Sequence, residues 1–431
     1  MRLPQRENLD STDMEYFIRF MKHALKQVLR KPDPVWPFYD FEHSINPKTI
    51  SCHQEILSWA EQSLAKKNIF EMSEKYERSS DPIVRQGYEL KKRVEAEFRD
   101  KRSAVSDIRI LIQVPGPSVS PAHFSFYSNL IESLNFIGIP AYKLEWKSDV
   151  KEALEIFHPT FLLSTDAPVY IDQIDWQAVA AYRKTRELYI GLNARIEEEE
   201  IGNSPLIPRL NWAKEHGINF YFSFRDPEYT RIRKEYQPFF ERGYPLLSLP
   251  FGANPLHYYP LPEITRDIDY CFLSSAHWTK GPIYSRLAGE IISRYPGFIH
   301  GIGWRHVKEF RFDRDRDRYL YARSKVGFNF HLPEQIEWAC EVNERTHHLA
   351  MCGLPQLIDT PKLLPKLYSK NALFVCKTGE EFANHFRNIM QNPAYGQQRA
   401  IVAQREVFAQ HTTFHRANDF VTQLQDILVR A

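Results

Sequence analysis

KVGFNFHL at residues 325–332 and VNERTHHLAMCGLPQLID at residues 342–359 give the clearest indication of how this chain folds. The first run is almost continuously apolar and has the length of a buried strand. In the second run, a segment with helical spacing begins near Asn343, a Gly-Leu-Pro turn ends it, and another short apolar run follows. Strand, helix and strand in this order predict a βαβ unit with parallel strands.

The same alternation continues on both sides of this unit. The predicted strands are IRILIQV, PAYKLEW, TFLLST, LYIGLN, NFYFSF and YPLLSLPF before a Pro- and Gly-rich linker, and DYCFLSS, GFIHGIGW, KVGFNFHL, PQLIDT and NALFVC after it. Apolar strands alternating with helices predict parallel sheets that are covered on both faces. We therefore predict an α/β protein with two Rossmann-like domains, at 106–250 and 251–405, facing across a ligand-binding cleft.

Helical segments flank the two domains. Residues 1–105 have helical spacing at 14–28, 52–66 and 83–98, without a strand between them. They predict a helical N-terminal region, either a packed accessory layer or a surface that recognises the acceptor or a partner. Residues 406–431 predict a final helix that could cross back to the first Rossmann-like domain.

Composition excludes several classes of protein. The 431 residues include 56 basic and 54 acidic side chains, so no overall field attracts the chain to nucleic acid or to an anionic membrane. Five cysteines without a C-x-x-C pair argue against a disulfide scaffold or a zinc knuckle. Without an apolar signal core or a run of ~18 apolar residues, we expect a cytoplasmic protein with no transmembrane segment, and peripheral membrane contact stays open.

The second half of the chain resembles a known family. The two runs at 325–332 and 342–359, followed by LPKLYSKNALFVCKTGEEFANHFRNIMQNP and AQREVFAQHTTFHRANDFVTQL, resemble the C-terminal half of CgeB-like glycosyltransferases, which are relatives of a large group with the GT-B fold. SFRDPEYTRIRKEY, GYPLLSLPFGANPLHYYPLP and DIDYCFLSS resemble the interdomain crossing of that family. The resemblance implies a GT-B enzyme that moves a sugar from a nucleoside-diphosphate donor to an acceptor hydroxyl.

The start of the helix near Asn343 is the predicted diphosphate site. Backbone N–H groups and the positive end of the helix dipole suit a diphosphate, and Asn343 and Glu344 lie at this end. Arg345, in the first turn, can bind a phosphate through two hydrogen bonds and neutralise charge on the leaving nucleotide. The alternative is a surface arginine paired with Glu341 or Glu344.

The sequence departs from the E-x7-E pattern of the broader group, in which one Glu approaches the donor sugar and the other binds the ribose. Aligned on MCGLP, these positions are Cys340 and His348. His348 can still hydrogen-bond a ribose hydroxyl, or it is a packed helix residue. Glu341 or Glu337 can bind the sugar if the pattern is shifted along the helix.

The resemblance implies that Gly353 lets the next strand pack close to the helix.

After the first strand of the second domain, the resemblance implies further phosphate ligands. The Lys-Gly of many GT-B enzymes is kept at Lys280, which is either a phosphate ligand or an exposed loop lysine. The usual Arg is replaced by Ser275, and His277 and Arg286 can supply part of the missing charge.

A D-x-D pattern in FDRDRDRY is a decoy for a metal site. Arginines separate its acids, and a helix follows it. We interpret this run as a solvated ion-pair segment, and we expect no essential metal and no cofactor beyond the nucleotide-sugar co-substrate.

On the acceptor side, two side chains follow predicted strands of the first domain. His123 lies after the first strand and Asp166 after the third, where each is a candidate base for the acceptor hydroxyl. His123 is alternatively a hydrogen-bond partner of the transferred sugar, and for both residues the other interpretation is a capping or core role. The acceptor itself can be a glycan, a protein, a lipid-linked sugar, a small molecule or a nucleic acid.

Two other functions stay open. Nucleotide-sugar epimerisation would convert the donor without any acceptor. A non-catalytic sugar-binding or scaffold protein would bind nucleotides weakly and turn nothing over.

Overall fold

The structure of the chain, a computed structural model, describes residues 39–65, 73–117, 119–198, 201–276, 278–308 and 310–430. The predicted helix at 14–28 and the candidate phosphate ligand His277 lie outside these residues. No helix in the described ranges is both long enough and apolar enough to span a bilayer.

The first Rossmann-like domain is built on a sheet of six parallel strands in the order β2-β1-β3-β4-β5-β6. The strands are β1 Ile110–Val114, β2 Ala141–Glu145, β3 Phe161–Thr165, β4 Tyr189–Asn193, β5 Phe220–Ser223 and β6 Leu246–Ser248. Its helices are α6 Pro121–Phe136, α7 Val150–Phe157, α8 Pro168–Ile171, α9 Trp176–Arg183, α10 Leu206–Glu215, α11 Pro227–Ile232 and α12 Gln237–Glu241. The five residues of β1 and those of β3 are buried, as expected for strands covered on both faces.

The second domain has five parallel strands in the order β11-β10-β9-β7-β8. The strands are β7 Cys271–Leu273, β8 Phe298–His300, β9 Gly327–Asn329, β10 Gln356–Ile358 and β11 Phe374–Val375. Its helices are α13 Gly281–Arg294, α14 Arg314–Arg323, α15 Pro333–Glu337, α16 Glu344–Met351, α17 Leu364–Leu367, α18 Gly379–Gln391 and α19 Pro393–Gln410. Two parallel doubly wound sheets confirm the predicted fold class, the GT-B architecture of two Rossmann-like domains.

The described helices that precede β1 pack mainly on the second domain. They are α1 Tyr39–Ser44, α2 Pro47–Ser51, α3 His53–Ala65, α4 Ser73–Glu77 and α5 Pro82–Phe98. Phe41 is buried in the core around β7 with Tyr284 and Trp304, and Asn46 N donates a hydrogen bond to the Ile292 carbonyl. This part of the N-terminal region is therefore a packed layer on the second domain.

The chain crosses between the domains at two neighbouring places. Residues 249–267, which follow β6, form no helix or strand, as the Pro- and Gly-rich sequence predicts. Ala253 N donates to the His411 carbonyl at 3.0 Å, and Thr413 N donates to the Ala253 carbonyl at 2.9 Å. The final helix, α20 Thr413–Arg430, then packs on α6 of the first domain, where Phe414 stacks on Phe136.

The run FDRDRDRY belongs mostly to helix α14, whose N-cap is Asp313. Arg316 pairs with Asp317, and Arg318 pairs with Asp315. The predicted ion pairs are therefore present, but the predicted exposure is wrong, because both arginines are buried. The cause is that α14 packs against α3 and β7, which the local sequence does not reveal.

Candidate functional site

Arg345 lies at the point in the second domain where the strand order reverses. Its Nε donates to the Leu273 carbonyl at the end of β7, at 2.5 Å, and its Nη1 donates to Asn329 Oδ1 at the end of β9, at 3.3 Å. Strands β7 and β9 are neighbours in the sheet, and the strand order runs in opposite directions from them, which makes this pair a topological switch point. Ligands of open α/β sheets bind at the switch point. Arg345 is therefore placed where a ligand is expected.

The first turn of α16 supports the same site. The Asn343 side chain caps the helix by accepting a hydrogen bond from Thr346 N at 3.1 Å, and its Nδ2 donates to the Phe330 carbonyl at 3.0 Å. The cap fixes the helix end against β9, so that the free N–H groups of the first turn point to the carboxyl edge of the sheet. Among the described residues, Nη2 of Arg345 has no hydrogen-bond partner, and it can donate to a ligand.

Lys280 lies at the same edge and is not an exposed loop lysine. Its Nζ donates to the Phe330 carbonyl at 3.3 Å. Burial and the charge of Arg345 together lower the pKa of Lys280 to about 7, against the opposing negative charges of Asp359 and Glu341. Two cationic side chains thus meet at the end of β9, an arrangement that a polyanion would stabilise.

A buried histidine–aspartate pair, not predicted from the sequence, follows strands β9 and β10. His331 Nδ1 and Asp359 Oδ1 are 2.7 Å apart, and Asp359 Oδ2 accepts a hydrogen bond from His331 N at 2.7 Å. His331 Nε2 lies 3.3 Å from Thr346 Oγ1 on α16. The pair therefore fixes two strand ends against the helix that contains Arg345. The sequence feature that could have identified this pair is a polar residue near the end of each of the two predicted strands.

His348 packs face to face on Tyr258, with ring centroids 3.8 Å apart. Burial, together with the charges of Arg345 and Arg314, lowers the pKa of His348 to about 3. Its Nε2 is buried and has no hydrogen-bond partner in the described part of the chain. The ring is therefore packed, as one alternative predicts, and it also retains a nitrogen that can bond a ligand hydroxyl.

Gly353, at the end of α16, is required by the packing. Its φ of +66° is in the left-handed region, and a Cβ at this position would lie 2.0 Å from Ile83 Cγ2 of helix α5. The structure places this glycine behind the helix and in contact with the N-terminal layer. The closest contact of Gly353 is therefore with helix α5 of the N-terminal layer.

On the first domain, His123 occupies the corresponding switch point between β1 and β3. It lies in the first turn of α6, after β1, and its Nδ1 is 2.6 Å from Tyr170 Oη on α8, after β3. Burial and the charge of Arg195 lower the pKa of His123 to about 3, against the effect of Glu197. The imidazole is therefore neutral at neutral pH, and it accepts a proton at Nε2 in the tautomer in which Nδ1 donates to Tyr170.

Asp166 is buried and forms an ion pair with Arg209 of α10. Arg209 Nη1 also donates to the Asp166 carbonyl at 2.9 Å. Burial raises the pKa of Asp166 to about 6, although Arg209 acts in the opposite direction. Its carboxylate is therefore held by the protein.

Helix ends from the two domains meet between the sheets. Glu344 of α16 lies beside Ser125 of α6, and burial raises the pKa of Glu344 to about 8 against the effects of Arg345 and Ser125. Glu341 pairs with Arg225, which follows β5, at 2.8 Å. Because all these residues lie after strands or in first turns of helices, the carboxyl edges of the sheets face each other.

Three other candidate residues differ in exposure. Glu337 and Arg286 are exposed, and Cys340 is fully buried. Within the ranges that the structure describes, no group of three or more His, Cys, Asp or Glu side chains is arranged to hold a metal ion. The prediction that no metal is essential stays a prediction.

Residues 285–422 match the protein-family model described as glycosyl transferase-like. The matched span includes α16, β9 and β10, so the sequence around Arg345 is glycosyl transferase-like. No curated protein matches the chain in sequence. The finer resemblance to CgeB-like proteins stays a prediction.

Several solved structures are similar in fold. Sucrose-phosphate synthase from Thermosynechococcus elongatus is 10% identical, with 75% of this chain and 100% of that chain covered and a TM-score of 0.47. Anabaena HepE in complex with UDP and glucose is 13% identical, with 74% and 99% covered and a TM-score of 0.48. T4 phage β-glucosyltransferase with its UDP-glucose substrate is 9% identical, with 74% and 99% covered and a TM-score of 0.48.

Proposed function

We propose that the protein is a glycosyltransferase that moves a sugar from a nucleoside-diphosphate sugar to an acceptor hydroxyl between the two domains. The main support is the position of Arg345 at the β7/β9 switch point, with Lys280 at the same strand ends. A cationic pair beside a capped helix N-terminus suits a diphosphate. The similarity of residues 285–422 to the glycosyl transferase-like family model supports the proposed reaction class.

In this proposal the second domain stabilises the leaving group. When the bond between the sugar and the diphosphate breaks, negative charge develops on the β-phosphate. Arg345, Lys280 and the first N–H groups of α16 are already oriented towards that position, so no solvent has to reorganise. Asn343 and the His331–Asp359 pair hold these groups in place, and His348 Nε2 is available to a ribose hydroxyl.

The first domain supplies the acceptor side. We assign the base role to His123 and not to Asp166, because the Asp166 carboxylate is held by Arg209 whereas His123 Nε2 has no partner among the described residues. Tyr170 orients the ring through Nδ1. The acceptor hydroxyl would lose its proton to His123 as its oxygen attacks the sugar carbon.

A panel of nucleoside diphosphates and nucleotide sugars, measured by thermal shift, tests the proposal. One nucleotide family is expected to raise Tm, because a ligand at 100 times its Kd stabilises the folded state by about 2.7 kcal/mol. The parent nucleosides, which lack the diphosphate, serve as the matched control and should give no shift. If no member of the panel stabilises the protein, the proposal is wrong and a non-catalytic function is favoured.

Donor affinity should fall as pH rises above about 7, the pKa of Lys280 in the free protein. A bound diphosphate raises that pKa, so binding takes up a proton above pH 7, and affinity decreases by up to about tenfold per pH unit. Calorimetry of a nucleotide sugar at several pH values measures this slope, since its esterified diphosphate does not titrate in the range. Lys280→Met should bind the nucleotide sugar weakly, and its affinity should not depend on pH in this range. If the affinity of this variant has the same pH dependence as wild type, Lys280 is not the source of that dependence.

His123→Gln is expected to lower kcat by about 100-fold, within the range for loss of a general base. Nucleoside diphosphate affinity should not change, because His123 is on the opposite domain. Since burial keeps the His123 pKa near 3, the wild-type rate should show no loss from protonation of this residue down to about pH 5. Single-turnover rates with a saturating donor measure both effects. A variant with wild-type kcat would remove His123 from the proposed reaction.

A further inference from the structure

The segment between β9 and α16 contacts both domains: Lys362 N of the second domain donates to the Gln335 carbonyl at 3.0 Å, and other residues of the segment lie on the first domain. We call residues 332–342, which include α15, the clasp. Cys340 of the clasp is fully buried within the hydrophobic cluster of the first domain that contains Leu192 and Tyr236. Its carbonyl accepts a hydrogen bond from Asp226 N at 2.6 Å, and the Arg233 guanidinium lies 4.4 Å from the ring centroid of Trp338. The clasp therefore joins the domains through both apolar and polar contacts.

Arg225 of the first domain is the charged centre of this contact. Its Nη2 donates to Glu197 of its own domain at 2.9 Å and to Glu334 of the clasp at 3.0 Å, and its Nη1 pairs with Glu341 of the clasp at 2.8 Å. Burial lowers the pKa of Arg225, but Glu341, Glu197 and Glu334 outweigh it and raise the pKa well above its usual value. One guanidinium thus contacts three carboxylates, two of which belong to the other domain.

Glu341 is held from two sides through one oxygen. Its Oε1 accepts from Arg225 and from Gln335 Nε2 at 2.7 Å, whereas Oε2 has no hydrogen-bond partner in the described ranges. Glu341 lies two residues before the helix cap Asn343, and its charge raises the pKa of Lys280. An available carboxylate oxygen at the edge of the diphosphate site suits a hydroxyl donor, and sugars are the hydroxyl-rich part of the donor.

We propose that Arg225 is a positioning residue for the donor sugar: from the first domain it holds Glu341 so that Oε2 accepts a hydrogen bond from a sugar hydroxyl. This inference rests on the proposed function, and it makes recognition of the sugar, but not of the nucleotide, depend on contact between the domains. The diphosphate ligands Arg345 and Lys280 belong to the second domain, whereas the geometry of the sugar ligand is completed by the first.

Removing Arg225 would change Glu341 in two ways. Glu334 and Glu341 would lose their shared cation, whereas Glu197 would keep its ion pair with Arg195, and the repulsion between the carboxylates would move the clasp. Burial raises the pKa of Glu341, and the charge of Arg225 limits this rise. Without Arg225 the pKa would rise further, so the carboxylate would carry less negative charge. Both effects weaken a hydrogen bond from a sugar hydroxyl. A smaller charge on Glu341 also lowers the pKa of Lys280, and this change weakens a nucleoside diphosphate and a nucleotide sugar alike.

Calorimetry of the full chain with a nucleoside diphosphate and with the matching nucleotide sugar tests the proposal. In Arg225→Ala, the ratio of Kd for the nucleotide sugar to Kd for the nucleoside diphosphate should rise about tenfold or more, the scale of a hydrogen bond to a charged group, because a weaker charge on Lys280 affects both ligands alike. Glu341→Gln should show the same selective loss, and the double variant should lose no more than either single variant. Arg225→Lys, which keeps the charge, should recover part of the loss.

Arg231→Ala is the matched control, because Arg231 is an exposed arginine on α11 of the same domain. It should leave both dissociation constants unchanged. An equal weakening of both ligands in Arg225→Ala, or an unchanged ratio of the two constants, would overturn the sugar-positioning role. If Arg225→Ala does not fold, the ratios for Arg225→Lys and Glu341→Gln decide the question. Failure of wild-type protein to bind any nucleoside diphosphate would instead refute the proposed function itself.

Discussion

Arg345→Ala is expected to lower kcat for sugar transfer by about 100- to 1000-fold, the range seen when one preorganised donor to a developing anion is removed. The guanidinium touches the ends of both β7 and β9 and is the cation nearest to the start of α16. Nucleoside diphosphate affinity should fall as well, but by less than kcat, because charge on the leaving group grows in the transition state. Initial rates with a saturating donor, together with calorimetric Kd values, separate the two effects.

Arg345→Lys should retain some binding, because it keeps the charge, but should lose most of kcat, because a lysine cannot make two parallel hydrogen bonds to a phosphate. Arg387→Ala is the matched control for removal of an arginine. Arg387 lies on α18 and pairs with Glu290 on α13. This variant should turn over at the wild-type rate. A folded Arg345→Ala variant with wild-type kcat would disprove the leaving-group role.

Gly353→Ala is expected to destabilise the fold by about 3 kcal/mol or more. A left-handed backbone costs a residue with a Cβ about 1–2 kcal/mol, and overpacking a core costs about 1–3 kcal/mol. Both terms apply, because φ is +66° and the added Cβ would lie 2.0 Å from Ile83 Cγ2. Urea unfolding measures the loss.

Two further variants separate the causes. Gly353→Ala combined with Ile83→Ala should unfold at higher urea than the sum of the single effects predicts, because the cavity at Ile83 relieves the overlap. Gly289→Ala, in the middle of α13 with no atom within 4 Å of the added Cβ, should stabilise the protein by about 0.5–1 kcal/mol. If Gly353→Ala is as stable as wild type, the close packing of the N-terminal layer on α16 is wrong.

Much of the fold was predictable because its signals are local. Each parallel strand is a short apolar run, and the boundaries of helices such as α7 Val150–Phe157 follow from spacing and from a cap such as Asp149. His123 was predictable as a candidate because it follows a strand, and Arg345 because it lies at the start of a helix that follows a strand. Lys280 was a candidate because the resemblance to GT-B enzymes implied it. Several short helices, among them α9 and α10, were not predicted, because they lack a clear apolar period.

The pairings within the site were not predictable, because they join residues that are far apart in sequence. Arg225 and Glu341 are 116 residues apart and belong to different domains (341 − 225 = 116). The ion pair of Asp166 with Arg209 likewise depends on how α10 packs against β3, so the sequence offered Asp166 as a free base. In FDRDRDRY, the charges suggested exposure, and only tertiary contact of α14 with α3 shows burial.

The location of the diphosphate is the central claim. A crystal structure of the protein with the nucleoside diphosphate that gives the largest thermal shift tests it directly. We expect the diphosphate oxygens at the start of α16, within about 3 Å of the Arg345 guanidinium and of Lys280 Nζ, with the ribose beside His348. A diphosphate bound elsewhere on the chain, or bound without contact to Arg345, would contradict the proposed donor site.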